Sequence, residues 1–262
     1  MKPAKLAKRV TSRLRSLLRR LRTVLRRCRH QGEVGTVHEL RTTLRRLRLK
    51  AALVAPWLGR GVADEFHAWA RRTSRRTSMV RDLDVTIGWL RRHRGPAAVV
   101  IAVQRLREAR WHGVQRWLAV PAGGLPDLKH ERLPKGHHLR LVRRYEERFA
   151  RMAGRVEAMA VRFDRLSAAE RHAFRRQVRR LRYLRELALP RRKHPGDPLI
   201  KSLATVQIEI GGELDRTVAA QWARKLAGTH LATPAAHARQ TRRRVAAALR
   251  RLVRHLQNQA GS

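Results

Sequence analysis

The chain has 262 residues, of which 62 are Lys or Arg and only 19 are Asp or Glu, giving a formal net charge of +43. Its single cysteine, Cys28, excludes an internal disulfide and favours a reducing, cytoplasmic setting. No apolar run approaches the ~18 residues that a membrane-spanning helix needs. Because so many positive charges repel one another in a compact protein, we expect a dense polyanion as its partner.

Four amphipathic helices are predicted in the first part of the chain. Apolar residues recur there at spacings of three and four, which is the periodicity of a helix with one buried face. Gly32, Pro56 and the pair Gly95–Pro96 separate the periodic segments. The predicted helices are Ala4–Arg29, Val37–Val54, Val62–Arg94 and Ala97–Leu118.

A linker and four further helices are predicted in the second part. The linker, residues 120–136, contains six Gly or Pro residues. Ser167 with Glu170 has the spacing of a capping box and predicts the start of a helix that runs to Leu189. The other helices are His137–Leu166, Pro198–Leu226 and Pro234–Gln257, and Gly211 with Gly212 marks a position for a kink or break.

No segment has the period-two alternation of a strand, so the predicted class is all-α. The predicted architecture is a single domain, residues 1–262, built from two pseudo-symmetric four-helix units. The first unit is residues 1–119 and the second is residues 137–262, joined by the linker 120–136.

A basic signature occurs twice, 134 residues apart, with no insertion between its members. The first copy is His38, Arg41, Arg45, Arg46 and Arg48, and the second is His172, Arg175, Arg179, Arg180 and Arg182. The match extends to a core leucine and to a helix-ending proline, at Leu47 with Leu181 and Pro56 with Pro190. The abundance of arginine alone does not explain that extension, so we interpret the halves as two copies of one helical unit.

Each copy forms a stripe along one helix. His38, Arg41, Arg45 and Arg48 fall within an arc of roughly 80°, centred about 110° from the apolar residues of the same helix, while Arg46 lies off this arc. A stripe beside the buried face can follow successive phosphates of an extended chain, because its guanidinium groups rise by ~5 Å per turn. The alternative is a solvated basic face without a ligand.

Arginine outnumbers lysine 53 to 9. The planar guanidinium can bind phosphate oxygens in a bidentate manner, which the ammonium of lysine cannot do. Arg-rich codon usage in a GC-rich genome is an alternative cause of this ratio, but it does not account for the repeated spacing.

The leading histidines, His38 and His172, are interpreted as hydrogen-bond donors to phosphate. The alternative is a structural histidine that bonds a neighbouring helix end. A metal site is disfavoured, because neither histidine has a second ligand at suitable spacing on its helix. No metal and no cofactor are therefore expected.

Two carboxylates stand out because acidic residues are scarce. Asp82 and Asp84, next to Arg81, are predicted to pair with arginines of the signature and to orient them, and an ordinary interhelical ion pair is the alternative. General acid–base chemistry is a poor interpretation, since such positive surroundings hold both groups ionised.

These residues resemble the CHAD domain, the conserved histidine α-helical domain. The resemblance rests on four segments: Val37–Arg48 in the second helix, Arg81–Val85 in the third, His172–Tyr183 with its final Tyr183, and Gly212–Asp215. It covers essentially the whole chain and implies two four-helix bundles that enclose a basic central cavity. It also implies binding of inorganic polyphosphate, often at polyphosphate granules. One departure is Arg216, which stands where the family usually has Asp.

The leading functional hypothesis is therefore non-catalytic polyphosphate binding. The alternative is an architectural nucleic-acid-binding protein that makes sequence-independent phosphate contacts, although aromatic residues form only 5% of the chain and no DNA-binding motif is present. A polyphosphate hydrolase or kinase is disfavoured, because the sequence has no phosphate-binding Gly-rich loop and no carboxylate cluster for Mg²⁺.

Overall fold

The computed structural model describes residues 2–30, 34–58, 61–93, 96–119, 135–227 and 235–260. Every regular element within these ranges is a helix, which confirms the predicted all-α class. The α-helices are α1 (Pro3–His30), α2 (Val34–Val54), α3 (Val62–Arg76), α4 (Ser78–Arg92), α5 (Ala97–Ala119), α6 (His138–Val161), α7 (Ala168–Ala188), α8 (Pro198–Ala227) and α9 (Ala235–Ala260). The predicted linker, residues 120–136, lies outside the described residues except for positions 135 and 136.

The predicted third helix is divided into α3 and α4, which meet at Thr77. The Thr77 hydroxyl donates to the carbonyl of Thr73 at 2.9 Å and lies 3.3 Å from the carbonyl of Ser74. Such back-bonding by threonine competes with the regular helical hydrogen bonds and bends or interrupts a helix. The apolar periodicity continues across Thr77, so the spacing of the core residues gives no sign of the interruption.

The glycine pair in α8 does not interrupt the helix. α8 continues from Pro198 to Ala227 through Gly211 and Gly212, so the structure shows no break at that position. The start of α7 agrees with its prediction: Ser167 Oγ accepts from the Glu170 amide, and Glu170 Oε2 accepts from the Ser167 amide at 2.8 Å. The predicted capping box is confirmed.

The chain divides into two compact units. The first, called the α1–α5 unit here, comprises Val10–Pro134 and Asp215–Leu231. Its core contains side chains that are almost completely removed from solvent: Leu14, Leu21, Leu40, Leu44, Leu47, Phe66, Leu83 and Leu90. In this unit α4 packs on α5, and Trp222 of α8 covers the edge of that contact.

The second unit, called the α6–α9 unit, comprises Met1–Arg9, Lys135–Leu214 and Ala232–Ser262. Residues of α6, α7, α8 and α9 share one core, which includes Val156, Phe174, Val178, Leu181, Leu203, Ile210, Leu249 and Leu252. Phe163 and Phe174 meet in this core with ring centroids 5.4 Å apart and tilted planes, a favoured geometry for an aromatic pair. The core positions α7, and with it the second copy of the basic signature.

Candidate anion-binding site

The first copy of the signature lies on α2, in the α1–α5 unit. Leu40, Leu44 and Leu47 of α2 are fully buried, whereas its arginines are only partly exposed: Arg41, Arg45, Arg46 and Arg48. His38 is exposed. The aliphatic stems of these four arginines therefore lie along the margin of the core, and their guanidinium groups keep access to solvent.

Arg41 is anchored to the junction between α3 and α4. Its Nη1 donates to the carbonyl of Ser74 at 2.6 Å and to the Thr77 hydroxyl at 3.1 Å. Ser74 lies in the last turn of α3, where carbonyl groups lack an intrahelical donor and carry the negative end of the helix dipole. The interruption at Thr77 thus creates the acceptor that holds Arg41 in place.

Asp82 of α4 lies close to this arginine. Burial raises the pKa of Asp82, while the charges of Arg41 and Arg81 act in the opposite direction and Asp215 raises it further. Asp215 and Asp82 both belong to the α1–α5 unit. An orienting role for the Asp82 carboxylate requires such an electrostatic interaction with Arg41.

Asp84 pairs with an arginine outside the signature. Its Oδ1 accepts from Arg107 Nε of α5 at 3.0 Å, and the carboxylate is fully buried. Burial raises the pKa of Asp84, and the hydrogen bond and charge of Arg107 lower it. For Asp84 the structure therefore shows the interhelical ion pair that was the alternative, and this residue ties α4 to α5.

The second copy of the signature lies on α7, in the α6–α9 unit. Arg175, Arg179 and Arg182 are partly exposed, and His172 and Arg180 are exposed. Arg182 forms an ion pair with Glu186 one turn later, at 3.3 Å, and its guanidinium carbon lies 5.5 Å from the centre of the Tyr183 ring. Tyr183 is itself buried.

Arg175 lies against a glycine of α8. A Cβ atom built on Gly211 would come within 2.9 Å of Arg175 Nη2 and 3.5 Å of its guanidinium carbon. No real Cβ tolerates so short a contact, so any larger residue at position 211 displaces this guanidinium. Gly211 therefore provides the space in which Arg175 lies, and this explains a glycine inside a continuous helix.

Several residues that position the signature arginines were not identified from the sequence. Ser74 and Thr77 hold Arg41, and Gly211 accommodates Arg175. Only Gly211 left a signal, because a glycine inside a helical pattern often marks a close approach of another group. Arg216, the departure from the family pattern, lies on α8 in the α1–α5 unit and is partly exposed, and nothing in the described structure explains it.

Neither histidine of the signature belongs to a cluster of potential ligands in the described structure. Across residues 2–30, 34–58, 61–93, 96–119, 135–227 and 235–260, no three His, Cys, Asp or Glu side chains are grouped so that they could hold a metal ion. Over the same ranges, the helices are either too short or too polar to cross a membrane.

Comparison with known proteins identifies the family. A family model of the CHAD domain matches residues 12–224. The chain is similar to the crystal structure of the CHAD domain from the plant Ricinus communis, with 19% sequence identity and a TM-score of 0.63. That similarity covers 98% of this chain and 86% of the plant chain, and it shows a shared fold. No curated protein sequence gives a significant match. Since the family model spans most of the chain, this protein belongs to the CHAD domain family.

Proposed function

We propose that this protein binds inorganic polyphosphate, without catalysis, through the arginine stripes of α2 and α7. Family membership supports the proposal, because the CHAD family is associated with polyphosphate binding in general. The main structural observation in its favour is that one arginine at the equivalent position of each copy is held in place by other residues. Arg41 is anchored by hydrogen bonds, and Arg175 occupies space left by a glycine. Arginines that serve only solubility need no such support.

Linear polyphosphate suits these stripes better than nucleic acid does. It carries about one negative charge per phosphate and presents no bases, so rows of guanidinium groups need only follow its charge. Single-stranded nucleic acid is usually bound with the help of exposed aromatic side chains that stack on bases. Tyr183, the aromatic residue at the end of the α7 stripe, is buried next to Arg182. The same proposal places the protein at cytoplasmic polyphosphate granules.

A competition experiment tests the proposal against architectural nucleic-acid binding. Fluorescent long-chain polyphosphate is bound to the protein, and unlabelled duplex DNA or unlabelled polyphosphate is added at equal phosphate concentration. We expect polyphosphate to displace the probe and DNA to leave most of it bound, with affinity falling steeply as salt rises. Displacement by DNA at the same concentration would favour the alternative, and release of orthophosphate in the presence of Mg²⁺ would indicate an enzyme.

Substitution of Gly211 by alanine is expected to weaken polyphosphate binding without loss of stability. The new Cβ displaces the Arg175 guanidinium, while alanine inside a helix stabilises the fold by up to ~1 kcal/mol relative to glycine. Gly212→Ala is the matched control, because a Cβ on Gly212 meets no atom within 4 Å. Affinity and the midpoint of thermal unfolding are measured for both variants. Equal binding by the two variants would contradict a positioning role for Gly211.

A further inference from the structure

A third row of arginines lies on α6 and was not part of the predicted site. Arg144, Arg148, Arg151 and Arg155 follow one another at spacings of four, three and four. At the pitch of an α-helix these positions fall within an arc of about 60°, so they form one stripe. Arg144 and Arg148 are partly exposed, and Arg151 and Arg155 are exposed. The stripe is therefore partly packed against its own unit and partly open to solvent.

This stripe interacts electrostatically with arginines of α7. α6 packs against α7 within the α6–α9 unit, and the charges with the largest effect on Arg148 are those of Arg144, Arg180 and Arg151. Burial and these like charges lower the pKa of Arg148. Arg180 is exposed as a whole, and partial desolvation together with the charge of Arg176 lowers its pKa. We define the α6–α7 arginine cluster by the five residues that these electrostatic interactions connect across the packed helices: Arg144, Arg148, Arg151, Arg176 and Arg180.

Arg148 lies at the centre of the cluster. Its Nε is removed from solvent, and within the residues that the structure describes no group accepts a hydrogen bond from it. A buried guanidinium nitrogen without an acceptor destabilises the protein, and so do neighbouring charges of one sign. A multivalent anion bound at the exposed side of the cluster would offset the repulsion between these charges.

In the corresponding pair of helices of the other unit, one carboxylate pairs with two arginines. In the α1–α5 unit, Glu39 of α2 accepts hydrogen bonds from Arg20 and Arg27 of α1, at 2.7 and 3.1 Å. The residue 134 positions after Glu39 is Ala173, on α7. The residues 134 positions after Arg20 and Arg27 are Gly154 and Val161 of α6, so this group of ion pairs as a whole has no counterpart in the second copy.

We infer that the α6–α7 arginine cluster is an additional anion-binding site that takes a run of condensed phosphate. This inference rests on the proposed function, since the run would be part of the same polymer that the α7 stripe binds. Arg180 belongs to both the second copy of the signature and the cluster, although, like Arg46, it lies off the arc of the stripe. It therefore lies on the side of α7 where the cluster and the signature share a residue. The cluster extends the predicted site from α7 across the surface of α6.

A charge-matched pair of variants tests this inference. Arg148→Gln with Arg151→Gln removes two charges from the cluster, and Arg251→Gln with Arg254→Gln removes two from exposed positions of α9 at the same spacing in the same unit. We expect the cluster variant to bind long polyphosphate about tenfold more weakly than the α9 variant does. The slope of log affinity against log salt is expected to fall by about one to two for the cluster variant only.

Stability measurements separate binding from folding. The cluster variant is expected to unfold at the same temperature as the wild-type protein or higher, because a repulsion is removed. A second variant, Arg151→Gln with Arg176→Gln, changes only exposed side chains and must also weaken binding if the cluster is a site. If both cluster variants bind as the α9 variant does, the inference is wrong while the proposed function stands. If the wild-type protein does not prefer polyphosphate to DNA, both are wrong.

Discussion

Replacement of Arg175 and Arg179 by alanine is expected to weaken polyphosphate binding by about 2 to 4 kcal/mol. Both side chains are partly buried on α7, and each is expected to donate charge-assisted hydrogen bonds to phosphate oxygens. Helicity should not change, because alanine has the highest helix propensity. Titration of labelled polyphosphate at fixed ionic strength measures the affinity, and far-ultraviolet circular dichroism measures the helix content.

Lysine at the same two positions is the control for charge. It keeps the positive charge but loses the planar fork, so only part of the affinity should return. Complete recovery by lysine would show that a diffuse positive field is sufficient. Arg41 is not used for this test, because its hydrogen bonds to Ser74 and Thr77 also support the fold.

The Asp84→Ala substitution is expected to lower the free energy of unfolding by about 3 to 5 kcal/mol. Asp84 is fully buried and forms an ion pair with Arg107, which is itself nearly buried. Removal of the carboxylate leaves the Arg107 charge in the interior without compensation. Chemical denaturation followed by circular dichroism measures the change, and Glu108→Ala, on the exposed side of α5, removes a carboxylate as a control.

A double substitution distinguishes the charge from the packing at this position. Asp84→Leu with Arg107→Met replaces both charges by apolar side chains, and most of the lost stability should return. Burial raises the pKa of Asp84 in spite of its arginine partner, which indicates that desolvation of this pair is costly. A double variant as unstable as Asp84→Ala would instead assign the loss to packing around the pair.

The helices of this protein could be predicted because their signals are local. Apolar spacing predicts α1 and α2, and the capping box of Ser167 and Glu170 fixes the start of α7. The division between α3 and α4 could not be predicted, because it depends on the Thr77 hydroxyl and not on the apolar pattern. Threonine occurs at many helical positions without interrupting the helix, so the division can be recognised only from the hydrogen bonds of the Thr77 side chain.

The candidate site could be predicted in part. The repeated spacing identified the stripes, because two matching copies are not expected by chance even in an Arg-rich chain. The partners of individual charges could not be assigned: Asp84 stood out as an acid, but Arg107 was one of 53 arginines. The α6 stripe has a regular spacing that was available in the sequence, but it occurs once and so lacked the support of a repeat.

The glycine at position 211 has a consequence for selection in the laboratory. Since alanine there favours the helix and displaces only the end of a flexible side chain, a screen for heat resistance alone should enrich Gly211→Ala. Survivors of such a screen would then capture less of the polymer than their parent. At position 211, a substitution that raises thermal stability is therefore expected to lower the affinity for polyphosphate.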